Sequence, residues 1–266
     1  MNKFIRPVTL SESEIKKIEA NKIARSEANP NHFEKWYPAI VEAGLRTPAT
    51  VVFPITPSLA KEVGKETRDV FQFPELVALV QNIMPLFDSM GDRLFMKNSL
   101  YSGKHSWAHT CELTRDCNIA LKIVTNLYEW LMLSPDYASS IVVREMIKTT
   151  PVFTAFQSLP ITQEFRVFAK DGHAYAYQPY WPAHAIEDYN PSEPDWRERL
   201  AAISEPSPSQ LDEIISMAGT ATAALGGDWS VDILYDENNT AYLIDMAVAS
   251  QSYKDPDCRS LQGEDL

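Results

Sequence analysis

The sequence predicts an α+β protein, long enough for one large domain or two compact lobes. Three observations predict it. Helix-like and strand-like runs alternate through the first half. Two hairpin signatures dominate the second half. An apolar content of 45% over 266 residues is that of a chain with a sizeable buried core.

Composition narrows the function classes. Lys and Arg total 24 against 36 Asp and Glu, a formal net charge of -12. Such an acidic average disfavours a broad nucleic-acid surface but leaves room for a local basic pocket. Cys111, Cys117 and Cys258 are too few for a disulfide scaffold, and none sits at zinc-site spacing. No apolar run reaches membrane-spanning length, and the opening MNKFIRPVTLSESEIKKIEANKIARSE lacks an apolar core with a cleavage site. The expectation is a cytoplasmic protein with no membrane partner.

Ser11 and Glu14 stand at capping-box spacing and open a polar helix over residues 11–28. Residues 36–44 suggest a short helix closed by Gly44. Pro48 leads into a strand over 50–53, stopped by Pro54. Residues 74–90 read as a helix with a break at Pro85. Leu94 to Met96 is strand-like. Lys97 follows, where the strand meets a polar loop holding Ser99, Ser102, Gly103, Lys104 and Ser106. Such a loop can offer several backbone N–H groups to phosphate oxygens. Its spacing is not that of a Walker A loop, and a solvated surface loop explains the same letters. Residues 112–132 read as a helix whose stripe of Leu113, Ala120, Leu121, Val124, Leu127, Leu131 and Met132 faces a core. The apolar run over 139–147 reads as a buried strand.

In the second half, Asp171-Gly172 marks a two-residue hairpin turn. It sets Arg166 opposite Tyr177, with Glu164, Arg166 and Phe168 on one strand face. Residues 182–208, rich in proline and acids, read as an irregular excursion, mobile in part. A helix over 209–225 ends at Gly226-Gly227. A second hairpin follows. With Asn238-Asn239 as its turn, 235 pairs with 242 and Asp232 faces Asp245. Like charges opposed across a sheet need compensation. A divalent cation, a neighbouring Lys or Arg, or a different register would each supply it. Beyond Ala249 the tail is polar and is expected to fray.

Taken in order, WYPAIVEAGLRTPAT, LFMKNSLYSGKHSW, IVVREMI, EFRVFAKDG and VDILYDENNTAYLIDMA resemble the successive elements of the ATP-grasp superfamily. Within it the sequence is most similar to the D123 group, the cell-division-cycle protein 123 family, over roughly residues 36–250. The resemblance implies an ATP-grasp fold, two α/β lobes with a nucleotide between antiparallel sheets, with ATP and Mg2+ as cofactors. It implies a lead-in region over 1–91, a first lobe with the phosphate loop over 92–148, a second lobe with the metal-binding hairpin over 149–250, and a polar tail over 251–266.

The resemblance also implies roles. Lys97, Ser102, Gly103 and Lys104 would meet the phosphates. Arg144, Glu145, Met146 and Ile147 would flank the adenine edge. Arg166, with Lys104, would serve the chemistry at the terminal phosphate, and Asp232 and Asp245 would hold magnesium. Glu164 would orient Arg166 or the metal's water shell, or else act as a plain ion-pair partner. One departure stands out: the family has Asn two positions after Asp245, where this chain has Ala247. Many members also carry a lysine upstream of the loop; Lys61 and Lys65 lie in that region without a clear match.

Three functions follow from the resemblance. One is an ATP-dependent ligase activating a small-molecule or peptide carboxylate through an acyl phosphate. The second is a D123-like assembly chaperone whose protein partner is a translation initiation factor complex. The third is a degenerate structural domain. Ala247 favours the latter two.

Overall fold

The computed structural model describes residues 11–65 and 68–261; the readings of residues 1–10 and of the last five fall outside them. The chain opens on α1 (Glu12–Ala28), with both halves of the expected capping box in place: the Ser11 side chain accepts from the Glu14 N–H, and Glu14 accepts from the Ser11 N–H at 2.8 Å. Next, α2 (Phe33–Glu42) begins earlier than the sequence reading, because its buried stripe of Phe33, Trp36 and Ile40 starts before Trp36. Then come β1 (Thr50–Pro54), α3 (Pro57–Val63), α4 (Pro74–Ile83) and α5 (Leu86–Met90), the last two separated at Pro85 as expected.

After β2 (Arg93–Asn98) and the short α6 (Trp107–Thr110), the expected helix over 112–132 divides. Its start is an edge strand, β3 (Glu112–Thr114), paired with Arg93–Phe95. The helix proper is α7 (Ile119–Leu133), opened by Asn118, whose side chain accepts from the Leu121 N–H at 3.0 Å. Leu113 is thus a sheet residue, while Leu121 and Met132 face solvent. The strand β4 (Ser140–Glu145) completes the first sheet, ordered β1-β4-β2-β3 and antiparallel throughout. Its outer face packs on the helices through Leu59, Leu79 and Ile123.

A small hairpin, β5 (Phe153–Ala155) and β6 (Leu159–Ile161), links this sheet to the second one. There, β7 (Glu164–Lys170) and β8 (His173–Pro179) turn at Asp171-Gly172, with φ of 47° and 92°, the left-handed pair a type I′ turn needs. A bulge at Tyr175 shifts the register, so Arg166 stands opposite Gln178 and not Tyr177. The stretch expected to be irregular contains α8 (Ala183–Ile186) and α9 (Trp196–Ile203). Ile186, Trp196 and Leu200 anchor it in an apolar cluster with Trp107, Phe156 and Trp181. Those few large apolar side chains outweigh the prolines and acids around them.

The helix α10 (Pro208–Leu225) opens on a capping box from Ser207 to Gln210 and lays Ile214, Ala218 and Ala221 on the second sheet. Then β9 (Asp228–Tyr235) and β10 (Ala241–Val248) form the last hairpin. Its loop runs from Asp236 to Thr240, because the Asp236 carboxylate accepts from the Asn238 and Thr240 N–H groups, each at 2.8 Å. Tyr235 therefore pairs with Ala241, one residue away from the expected register. A bulge at Ile244 cancels the offset, and Asp232 faces Asp245 after all. In the tail, β11 (Arg259–Ser260) pairs with β8, so the described part is tied to the sheet and not frayed. The second sheet is ordered β10-β9-β7-β8-β11. Two lobes of antiparallel sheet, each with helices packed on it, make the α+β arrangement that the sequence predicts.

In the loop after β2, Gly103 has a φ of 74°, and a Cβ there would lie 2.8 Å from Thr110 Oγ1. The same hydroxyl donates to the Gly103 carbonyl at 2.7 Å. Gly103→Ala should lower the unfolding free energy by about 1–3 kcal/mol. Urea denaturation measures it, and an unchanged midpoint would contradict the close approach.

Candidate functional site

A cleft lies between the sheets. Strand periodicity and register build its first-lobe wall. Phe95 and Lys97 alternate along β2, and the 95↔144 and 97↔142 pairings put Arg144 on the same face. Met146 and Ile147 continue the wall past the end of β4, and Glu145 is fixed there by the Ala49 N–H at 2.9 Å. The second lobe contributes Glu164, Leu234, Ile244 and Asp245. Ser102, Lys104, Trp107 and Trp181 line it as well. Gly103, Arg166 and Asp232 stand behind this lining: Gly103 folds the loop, and the other two pair across β7 and β9.

Two ion pairs run across the cleft, and a third lies within the second sheet. Lys97, only 3% exposed, donates to Asp245 Oδ2 at 2.6 Å. Burial lowers the Lys97 pKa, with Asp245 opposing. Burial would raise Asp245, but Lys97, with Arg144 and Lys104 beyond it, holds the carboxyl below its ordinary value. Lys104 donates to Glu164 Oε1 at 2.7 Å. There burial is overcome by the Glu164 charge, and the Lys104 pKa rises. Arg166 grips Asp232 with two bonds, Nε to Oδ1 at 2.8 Å and Nη2 to Oδ2 at 2.9 Å. Beneath these cations lies Tyr180, whose ring centroid is 4.2 Å from Lys104 Nζ and 4.9 Å from the Arg166 guanidinium.

Arg144 differs from the other three. It is 2% exposed and lies 4.5 Å over the Phe33 ring. Its Nη1 donates to the Ile244 carbonyl, while Nε and Nη2 find no partner among the described residues. Burial lowers its pKa to about 10. A buried donor without an acceptor costs about 1–3 kcal/mol, so a cleft ligand rich in acceptor oxygens or nitrogens suits these two groups.

The opposed Asp232 and Asp245 are compensated by neighbouring cations, one of the three resolutions the sequence left open. Among the described residues no group of three or more His, Cys, Asp or Glu is placed to hold an ion alone. Two carboxylates do fit magnesium that arrives with phosphate oxygens, since that ion takes one or two protein carboxylates and fills its sphere with phosphate and water. Ala247, opposite Ser230, adds no side-chain oxygen. Lys61 and Lys65 do not line the cleft; they pair with Glu19 at 2.9 Å and Glu62 at 2.7 Å. Sequence reasoning missed Phe33, Tyr180 and Trp181. The aromatic pair directly after β8 was the available signal for the last two.

No family model matches the sequence, and no curated protein matches it. Solved structures do. Cdc123 from Schizosaccharomyces pombe superposes with a TM-score of 0.54 at 14% identity, over 91% of this chain and 87% of that one. Its C-terminally truncated form gives 0.52 at 16% identity, over 82% and 83%. D-alanine–D-alanine ligase from Bacillus anthracis, complexed with ATP, gives 0.45 at 14% identity, over 84% of this chain and 56% of the ligase.

The Lys104–Glu164 pair is buried enough to test alone. Lys104→Met strands a buried carboxylate and should cost about 3–5 kcal/mol of stability, whereas Lys104→Met with Glu164→Leu should recover most of it. Denaturant titration of both variants decides. A double variant less stable than the single one would mean that the pair is not the buried contact described.

Proposed function

We propose that this chain, which has the ATP-grasp fold, binds ATP with magnesium between its lobes and serves as a Cdc123-like assembly protein that holds a protein partner. One observation carries the nucleotide reading. Lys97, Lys104 and Arg144 converge from the first lobe on Glu164, Ile244 and Asp245 of the second, and Arg144 keeps two donors without acceptors. The apolar walls at Met146, Ile147 and Leu234 suit a base, and the cationic end suits phosphates.

In this reading Lys97 and Lys104 neutralise phosphate charge. Arg166 offers a planar fork to the terminal phosphate. Asp245 and Asp232 would hold the metal, which would neutralise phosphate charge. Ser102 and Gly103 set the loop at the phosphate end, with Gly103 needed for its tight fold.

The overlap with Cdc123 across most of both chains favours the assembly reading. Ala247 favours it too, because a metal with one fewer side-chain ligand is held less rigidly for catalysis. A carboxylate ligase working through an acyl phosphate is the second reading. Lys104 and Arg166 support it, since both sit where developing phosphate charge would be stabilised.

Calorimetry with ATP and magnesium should give saturable binding. Lys97→Met should weaken it about tenfold or more, the equivalent of a charge-assisted contact of roughly 1.5–3 kcal/mol. No binding up to millimolar nucleotide would overturn the reading. ADP release should stay at background with small carboxylates and amines; stimulated release would move the assignment to the ligase.

A further inference from the structure

The helix α1 sits on the first lobe with almost no apolar anchor. Of its 17 residues only Ser26 is buried, and Ile15 and Ile18 face solvent. Polar contacts hold it instead. Glu19 accepts from the Tyr137 hydroxyl at 3.0 Å and pairs with Lys61, Lys22 lies 3.8 Å over the Tyr137 ring, and Arg25 donates to Asp136 at 2.7 Å. The Ser26 hydroxyl accepts from the Tyr137 N–H at 2.8 Å. The next helix is anchored differently, since α2 buries Phe33, Trp36 and Ile40 completely. A helix without an apolar stripe gains little from packing, so α1 lifts from the lobe more cheaply than α2 does.

His32 lies where α1 meets the lobe, 1% exposed. Its Nε2 faces the Ser26 carbonyl at 2.7 Å, and a carbonyl only accepts, so Nε2 carries the hydrogen. Nδ1 is then the acceptor, approached by the Ser99 hydroxyl at 2.9 Å and the Ser139 hydroxyl at 2.6 Å. Ser139 and Ser140 also donate to the Glu34 carboxylate. The neutral ring thus ties α1 to the end of β2 and the approach to β4. A second proton would fall on Nδ1, cancel the bond it accepts and place a full charge inside. Glu34, 3.9 Å from Nδ1, and Asp136 favour that charge, while Lys35 opposes it. Burial outweighs the two carboxylates and holds the His32 pKa below its ordinary value.

We propose that His32 is a proton-operated latch for α1: the neutral ring holds the helix on the first lobe, and uptake of a proton releases it. A cavity beside the ring provides the route for water. Ile23, Ser26 and Glu27 of α1 line it on one side and Ile55, Pro57 and Tyr137 of the lobe on the other, and His32, Glu34 and Lys35 line it too. Lifting α1 opens that cavity and hydrates the charged ring, and water replaces the polar contacts that are lost. Lifting α2 would expose Phe33 and Trp36 instead. The sign follows from the two states of the ring. With α1 released it titrates near the ordinary histidine value of about 6.5, and with α1 docked it titrates lower. The docked state therefore holds fully above about pH 6.5 and loses ground as the pH falls through that value towards the docked pKa. The latch stands apart from the cleft and does not depend on the nucleotide reading.

Hydrogen exchange on the full chain tests this, read as protection factors, which divide out the intrinsic pH dependence of exchange. Between about pH 7.5 and about pH 5.5 the protection of residues 15–28 should fall severalfold, with a ceiling of about tenfold per pH unit for one proton. The amides of α2 and α10 should keep theirs. The window stays above about pH 4, where carboxylates ordinarily titrate. His32→Gln keeps an N–H donor for the Ser26 carbonyl but takes no proton, so its α1 protection should stay level across the window. Glu34→Gln removes a carboxylate that favours the charged ring, so its fall should be deeper than the parent's. Circular dichroism checks that each variant folds, and if His32→Gln does not, Glu34→Gln carries the test. An unchanged α1 protection in the parent would overturn the latch. So would a fall of the parent's size in folded His32→Gln, a fall no deeper in folded Glu34→Gln, or a loss of protection in α2 and α10 together with α1.

Discussion

Two lysines of the first lobe, Lys97 on β2 and Lys104 in the loop after it, reach carboxylates of the second sheet, and the geometry of the cleft depends on them. Lys97 and Lys104 lie on opposite sides of the loop that holds Ser102 and Gly103, so pairing both with the far lobe fixes that loop as well as the spacing of the sheets. The reach is set by strand alternation. Phe95, Lys97 and Arg144 share a face only because β2 and β4 pair in the 95↔144 register. A slip of one residue would turn these side chains to the helical side of the sheet, into the cluster of Leu94, Met96 and Val143.

Much of the site was legible in the sequence because its residues sit on strands, where the period of two ties neighbours to faces. Glu164 and Arg166 come together on β7 for that reason, and Lys97 could be placed at a strand's end from the polar loop after it. The Asp232–Asp245 pairing was reached by a path the chain does not take. The expected Asn238-Asn239 turn is replaced by a longer loop that the Asp236 carboxylate organises, and the bulge at Ile244 restores the offset. Bulges insert one residue without any dependable local signal. The bulge at Tyr175 shows the uncorrected case: Arg166 moves from opposite Tyr177 to opposite Gln178.

What stayed illegible depends on contacts between segments far apart in sequence. The stretch over 182–208 carries loop-like composition, yet Trp196 and Leu200 bury themselves against Trp107 and Phe156, supplied by α6 and the β5–β6 hairpin. Neither half of that cluster announces the other. The same holds for Arg144, whose guanidinium lies between Phe33 of α2 and the Ile244 carbonyl of β10. Glu112 to Thr114 was misread for a related reason. A short edge strand with one apolar residue continues the stripe of the helix after it, and only its partner β2 makes it a strand.

The placement of the ion pairs is itself informative. Buried ion pairs contribute little net stability, and apolar replacements of similar volume often hold a structure as well or better. Elsewhere the lobes are joined in the apolar way: Val142 of the first sheet packs with Phe165, Val167 and Ile233 of the second, with Phe33 and Trp36 in the same cluster. A junction selected only for rigidity would extend that packing to the cleft. Here charges take over where the two sheets face the cavity, in a chain whose overall charge is -12. Matched pairs hold the lobes in register. Apolar packing would hold the lobes in register as well, so rigidity alone does not account for the charges at this boundary.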